Sequence, residues 1–143
     1  MGRAAMTEIT LDIRKYDWTV RCYIDSVPSD CDCICRELSR IGCSGEALKG
    51  AREHLSREMY NIGLTYSNAR DRVTIMAIGK AESEEERLNT TAHESLHAVS
   101  HISGECGISM NEEEPCYLLG WIVMRCYFAL RKQNKRTKIP QNT

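Results

Sequence analysis

Residues 83–104 read SEEERLNTTAHESLHAVSHISG and carry a long, regular pattern of apolar positions. Ser83 and Glu86 have the spacing of a capping box, which marks the first turn of a helix. Apolar residues then recur at steps of three and four, which predicts one amphipathic helix with a single buried stripe. The members of this stripe are Leu88, Ala92, Leu96, Val99 and Ile102. Gly104 is expected to end the helix.

Two pairs of strands are predicted before this helix. Residues 7–25 alternate between apolar and polar around a turn at 14–17, which is typical of a hairpin with one buried face. Residues 64–67 and 72–78 form the second pair. Between the pairs, one helix follows Asp30 and stops at Gly42. A second helix starts near Ser44, passes through Met59 and ends at Gly63 as a left-handed residue.

The last helix is predicted to open at a second capping box, formed by Asn111 and Glu114, and to pass through Phe128. The fold class is therefore α+β, with a mixed or antiparallel sheet packed on helices. With 143 residues and 42% hydrophobic content, the chain suits one domain, which we place at residues 1–131. Residues 132–143 are basic and polar, and we expect a frayed, flexible tail there.

Charge and composition exclude several function classes. Nineteen basic residues against twenty acidic ones give a net charge of -1, so neither nucleic acid nor a membrane surface is an expected partner. The apolar runs fall far short of the roughly 18 residues that a membrane span needs. Residues 1–10 lack the apolar segment of a secretory signal, which predicts a cytoplasmic protein. The eight cysteines are expected to be reduced and mostly buried. The alternative is a metal or redox role for the cluster of Cys31, Cys33 and Cys35, and the oligomeric state stays open.

The same helix contains the motif His93-Glu94-Ser95-Leu96-His97, an HExxH pattern. Residues four apart on a helix share a face, so both imidazoles can reach one Zn²⁺ ion. Glu94 would lie beside the metal and act as general base on a water molecule. His101 lies about 12 Å along the axis from His93, too far to share that ion, and is expected to be a polar or capping residue.

The third zinc ligand is predicted to come from the acidic triplet 112–114. A helix that returns antiparallel would bring its first turn across the metal. Glu113 is the first choice, because Glu114 already has a role as the capping partner of Asn111. Glu114 remains the second choice, and Glu112 is expected to be solvated. The alternative is that all three acids only favour the positive end of the helix dipole.

The motif followed by a glutamate on the next helix resembles the gluzincin branch of the zincin metallopeptidases. Residues 66–124 also resemble small metallopeptidases encoded by phages and gut bacteria. The resemblance implies a zincin-like domain, His93 and His97 as ligands, Glu94 as base and a glutamate of the 113–114 pair as third ligand. The chain departs from the family pattern, since Cys116 and Tyr117 stand where Ala and Asp are usual.

The implied activity is zinc-dependent cleavage of a peptide bond in a peptide or protein substrate, with a narrow range of substrates. An extended peptide would align on the strand at 74–78, which is expected to be an edge of the sheet. The sequence does not identify the group that stabilises the oxyanion: Tyr66 and Tyr117 are candidates, and each is more typical of an aromatic at the edge of the core. The alternative is a zincin scaffold without catalysis that serves as a binding or regulatory module, with the ImmA-like proteases as an intermediate case. Glu94 favours the enzyme, because a structural metal site needs no carboxylate there.

Overall fold

Four strands form one mixed sheet in the computed structural model of the protein, which describes residues 6–138 and side chains as far as residue 133. The strands are β1 (Thr7–Ile13), β2 (Trp18–Ser26), β3 (Gly63–Asn68) and β4 (Val73–Gly79). Their spatial order is β1-β2-β4-β3. The pairs β1–β2 and β3–β4 are antiparallel, whereas β2 and β4 are parallel. The predicted hairpins and the mixed sheet are confirmed.

Helices cover both faces of the sheet. The residues that the structure describes form α1 (Cys31–Arg40), α2 (Gly45–Leu55), α3 (Glu84–Glu105) and α4 (Glu113–Lys138). Alternation along β4 divides the core between the two faces. Ile75 and Ala77 pack with α1 and α2, while Met76 and Ile78 pack with α3 and α4. A strand buried on both sides carries a continuous apolar run, which explains the sequence VTIMAIG and confirms the α+β class.

The buried face of α3 agrees only in part with the predicted stripe. Val99 and Ile102 are buried as predicted, whereas Leu88 and Leu96 are 47% and 48% exposed. The face against the sheet is built mostly from small and polar side chains. Its members are Thr91, Ser95, Ala98 and Ile102. Hydroxyl groups are tolerated there because they find partners, and Thr91 Oγ1 donates to the carbonyl oxygen of Arg87 at 2.7 Å. Apolar spacing alone could not reveal a buried face that is rich in Ser and Thr.

Several predicted boundaries were wrong. The helix α2 ends at Leu55, and Gly63 is the first residue of β3 rather than a helix terminus. The strand at 74–78 is not an edge, because β4 pairs with both β2 and β3. At the C-terminal end, α4 continues to Lys138, so the tail expected from residue 132 begins as helix. The rest of that tail, residues 139–143, lies outside the described residues.

Gly42 ends α1 as predicted, with a φ of 101° that suits glycine. One of the two hydrogen bonds of the predicted capping box at Ser83 is observed: Ser83 Oγ accepts a hydrogen bond from the Glu86 N–H at 3.1 Å. Within residues 6–138, no helix is both long and apolar enough to span a bilayer.

Candidate metal and hydrolase site

The three HExxH residues lie on the side of α3 that faces β3. His93 and His97 are about 40° apart around the helix, so their rings meet, with centroids 5.0 Å apart and an interplanar angle of 72°. Both side chains are exposed, and 67% of the His93 side chain is accessible. Glu94 is about 100° further round the helix and is only 6% exposed. The motif therefore presents two open imidazoles beside one buried carboxylate.

The carboxylate of Glu94 is held between two residues of β3. Thr65 Oγ1 donates to Glu94 Oε1 at 2.7 Å and also lies 3.1 Å from the main-chain oxygen of Glu94. A Cβ atom on Gly63 would lie 2.7 Å from both Cγ and Oε2 of Glu94, so only glycine fits there. The Oε2 atom is 3.9 Å from His93 Nε2. Because an unpartnered buried carboxylate is costly, the Thr65 hydroxyl is a necessary part of this arrangement.

Two histidines in this geometry suit a zinc ion. Imidazoles that each bind one zinc at about 2.1 Å place their ring centroids roughly 5 Å apart, which matches the observed 5.0 Å. A catalytic zinc usually takes three protein ligands. Among the described residues, no group of three His, Cys, Asp or Glu side chains lies close enough to hold a metal ion. Of the residues predicted as ligands, the described part of the chain brings His93 and His97 together.

Glu113 and Glu114 do not reach the histidines, which corrects the predicted third ligand. Glu114 Oε1 accepts a hydrogen bond from the Tyr16 hydroxyl and pairs with Lys15. Glu113 and Glu114 both line a cleft next to Tyr16, beside the end of β1. The predicted capping box is also wrong, because Glu114 turns to Tyr16 and the Asn111 N–H donates to Ser109 Oγ at 3.3 Å.

The electrostatics of Glu114 agree with this second location. Hydrogen bonds from Lys15 and then from Tyr16 lower the pKa of the Glu114 carboxyl. Burial, followed by the bond to Glu114, raises the pKa of the Tyr16 hydroxyl from its ordinary value of 10.0 to about 12. Glu114 is therefore an ionised partner of the β1 end.

The reason for the error is the side of α3 on which α4 packs. Val99 lies in one apolar cluster with Leu118 and Ile122 of α4. Val99 is two residues from His97, which places it about 200° around the helix. The return helix thus covers the side of α3 that points away from the histidines. The sequence was enough to predict that α3 and α4 pack antiparallel. It did not show which side of α3 contacts α4.

His101 extends the row of histidines without joining a metal site. Its Nδ1 atom lies 2.7 Å from Ser67 Oγ, and Ser67 Oγ lies 2.7 Å from Thr74 Oγ1. Trp18 Nε1 donates to the same Thr74 oxygen at 2.9 Å. Burial and the neighbouring His97 lower the pKa of His101. The expected polar role of His101 is confirmed, although its partner is the sheet and not the helix end.

A residue that the sequence did not reveal joins the site from α2. A cavity of about 300 Å³ beside the motif is lined by His54 together with Gly63, His93 and Glu94. His54 Nε2 lies 2.8 Å from the carbonyl oxygen of Gly63. His54 precedes the motif by 39 residues and belongs to no recognisable spacing, so only the contact identifies it.

The two tyrosines considered for the oxyanion do not line this cavity. Tyr66 packs on the opposite face of the sheet, in the cluster with α1 and α2, which agrees with the alternative of an aromatic at the edge of the core. Tyr117 is 75% exposed on α4 and lines the cleft next to Tyr16.

The strand beside the site has one unpaired edge within the described residues, because β3 is the last strand of the sheet. The Gly79 N–H donates to the Ile62 carbonyl at 2.7 Å, which fixes the alternation of the ladder. Alternate residues of an antiparallel strand bond to the neighbouring strand, so Leu64 and Tyr66 bond to β4. Gly63, Thr65 and Ser67 direct their backbone N–H and C=O groups to the open edge.

Comparison with family models, with curated proteins and with solved structures finds no match for this chain.

Proposed function

We propose that the protein is a zinc-dependent hydrolase of the zincin type, which cleaves a peptide bond in a segment bound along β3. One observation carries the proposal: a buried glutamate, aligned by Thr65, lies beside two exposed histidines with zinc-chelating spacing. Its resemblance to the gluzincins supports the same chemistry. The third ligand of that family pattern is not part of the proposal, because Glu113 and Glu114 line the cleft next to Tyr16.

In the proposed mechanism, His93 and His97 hold the metal. A zinc ion bound there would supply Lewis-acid polarisation of the scissile carbonyl and activation of a water molecule. Glu94 accepts the proton of the attacking water and returns it to the leaving amine. The bond from Thr65 Oγ1 to Glu94 Oε1 leaves Oε2, on the side of His93, to exchange that proton.

The substrate that suits this site is an extended peptide. The open edge of β3 offers the backbone groups of Thr65 and Ser67, which can pair with a peptide as an added strand. The paired peptide would run beside α3, along the row of exposed histidines. The small cavity at His54 can take one side chain, which favours a narrow set of protein substrates.

Metal analysis and a substitution at Glu94 test the proposal together. We expect one zinc per chain in the purified protein, lost in His93→Ala and His97→Ala. Glu94→Gln should keep the zinc but lower peptide hydrolysis by roughly 10²–10⁴-fold, since it removes only the proton acceptor. Glu85→Gln, an exposed glutamate on the same helix, is the matched control and should change neither.

A folded wild-type protein without zinc affinity would overturn the proposal. Loss of zinc in Glu94→Gln would make Glu94 a ligand and would overturn its role as base.

A non-catalytic binding or regulatory module is the second candidate. The observation that favours it is the missing third ligand among the described side chains. In that case peptides would bind along β3 without being cleaved, and Glu94→Gln would change neither zinc content nor peptide binding. Measured cleavage by the wild type that Glu94→Gln abolishes would exclude this alternative.

A cytoplasmic setting is also part of the proposal. All eight cysteines are unpaired, and five are buried. Free thiols in this number suit a compartment where glutathione and thioredoxin keep cysteines reduced.

A further inference from the structure

We infer that His54 is a positioning residue for Glu94 and acts through the backbone of Gly63. The inference rests on the proposed function, because it assigns a role within the same site. Within the described part of the chain, His54 makes no hydrogen bond to the carboxylate. It fixes the first residue of β3, and that residue forms one wall of the space in which the carboxylate lies.

The first step is the bond from α2 to β3. His54 is half-buried near the end of α2, and its Nε2 atom lies 2.8 Å from the Gly63 carbonyl oxygen. A carbonyl oxygen only accepts hydrogen bonds, so Nε2 must carry the proton and donate it. The ring tautomer is therefore set by this contact.

The second step is the contact between Gly63 and Glu94. The backbone of Gly63 approaches so closely that an added Cβ would lie 2.7 Å from Oε2 and 2.9 Å from Cδ. Thr65, two residues along the same strand, binds the other oxygen, Oε1. A hydrogen bond from the Thr65 hydroxyl group thus fixes the position of Oε1, and the backbone of Gly63 limits the space for Oε2. A small movement of Gly63 would change the space available to Oε2, the oxygen nearer to His93.

The third step concerns what else holds Gly63. Its own backbone groups point to the open edge of β3, so the ladder with β4 does not bind them. On either side of Gly63 the chain is hydrogen-bonded to β4. Leu64 bonds to Ala77, and the Ile62 carbonyl accepts a hydrogen bond from the Gly79 N–H. Among the hydrogen bonds of the described residues, His54 supplies the one to the Gly63 carbonyl. Since glycine has wide conformational freedom, loss of this bond should loosen the wall beside Glu94.

The test uses the metal-free full chain labelled with ¹³C at glutamate carboxyl carbons. The Glu94 signal is assigned by its absence in Glu94→Gln. We expect His54→Ala to shift or broaden this signal and His54→Gln to restore it, because a glutamine amide keeps a donor near the position of Nε2. Asn68→Ala is the matched control. It removes a side-chain bond to a backbone carbonyl, Asn68 Nδ2 to Ile41 O at 2.8 Å, at the other end of β3, together with two bonds between the Asn68 side chain and Asp71.

An unchanged Glu94 signal in folded His54→Ala would overturn the inference, and so would an equal change in Asn68→Ala. Failure of His54→Gln to restore the signal would overturn it as well. Should His54→Ala not fold, His54→Asn, whose shorter amide cannot reach Gly63, replaces it with the same expectation. In zinc-loaded protein we expect kcat to fall roughly tenfold in His54→Ala. The signal is read without zinc or turnover, so it separates failure of this inference from failure of the proposed hydrolase.

Discussion

Replacement of Gly63 by alanine tests the close contact on which the site depends. Gly63 has no positive φ, so a Cβ is compatible with its backbone conformation. Alanine in a strand or helix normally stabilises a protein by about 0.5–1 kcal/mol relative to glycine. At Gly63 the new Cβ would overlap with Glu94, which is buried and tied to Thr65 and so cannot easily move away. Overpacking of this kind costs about 1–3 kcal/mol.

The matched control is Gly50→Ala, because Gly50 lies in α2 with nothing within 4 Å of its added Cβ. Urea unfolding should show that Gly50→Ala is stabilised and that Gly63→Ala is less stable than this control by about 1–3 kcal/mol. In a Glu94→Ala background the overlap disappears, so Gly63→Ala should then stabilise the protein as Gly50→Ala does. If Gly63→Ala has the same effect in both backgrounds, Gly63 and Glu94 are not in the contact described here.

Three further outcomes follow from the second cleft and from the thiols. Glu113→Ala and Glu114→Ala should both leave zinc affinity unchanged, as measured by competition with a chelating dye. Lower zinc affinity in either variant would identify that residue as a metal ligand. Glu114→Ala should move the pKa of Tyr16 from about 12 toward 10.0, read from tyrosinate absorbance. Since the raised pKa favours the protonated form in the folded state, the stability that Tyr16 contributes should be lost as pH rises from 10 to 12, and less so in Glu114→Ala. A thiol reagent should label Cys33 and Cys116 first in the native protein and all eight cysteines after denaturation; fewer than eight would reveal a crosslink.

The sequence predicted most of the fold because local patterns determine most of it. Alternation at 7–25 reflects a hairpin with one face on the core, and the capping signal at Ser83 locates the start of α3 correctly. Both depend on neighbours in the chain. The pairing of β2 with β4 in parallel, with β3 outside them, depends on residues about 50 positions apart. No pattern within one strand distinguishes that order from a meander, which is why β4 was mistaken for an edge.

The site was predictable to the same extent. His93, Glu94 and His97 are placed by helix geometry alone, and the structure brings them together. His54 and Gly63 were missed because their role arises from contact between α2, β3 and α3. A glycine before a strand is usually a turn signal. Here it is required by the approach of a carboxylate from another element, which only a tertiary structure can show.

The position of α4 restricts where a third zinc ligand can come from. Moving Glu113 to the histidines would require α4 to cross α3, which would withdraw Leu118 and Ile122 from the core. Removing one large buried side chain from a core costs about 2–5 kcal/mol, so such a movement would cost a large part of the roughly 5–15 kcal/mol that stabilises a typical domain. His93 instead lines the cavity at the start of β3, next to the edge at which Thr65 and Ser67 offer backbone groups. A ligand that completes the metal site without unfolding α4 must therefore approach from that edge, which is also the side on which a peptide would bind. For the proposed zinc site, this geometry predicts that zinc affinity, measured by competition with a chelating dye, rises when a bound peptide supplies a carboxylate or imidazole.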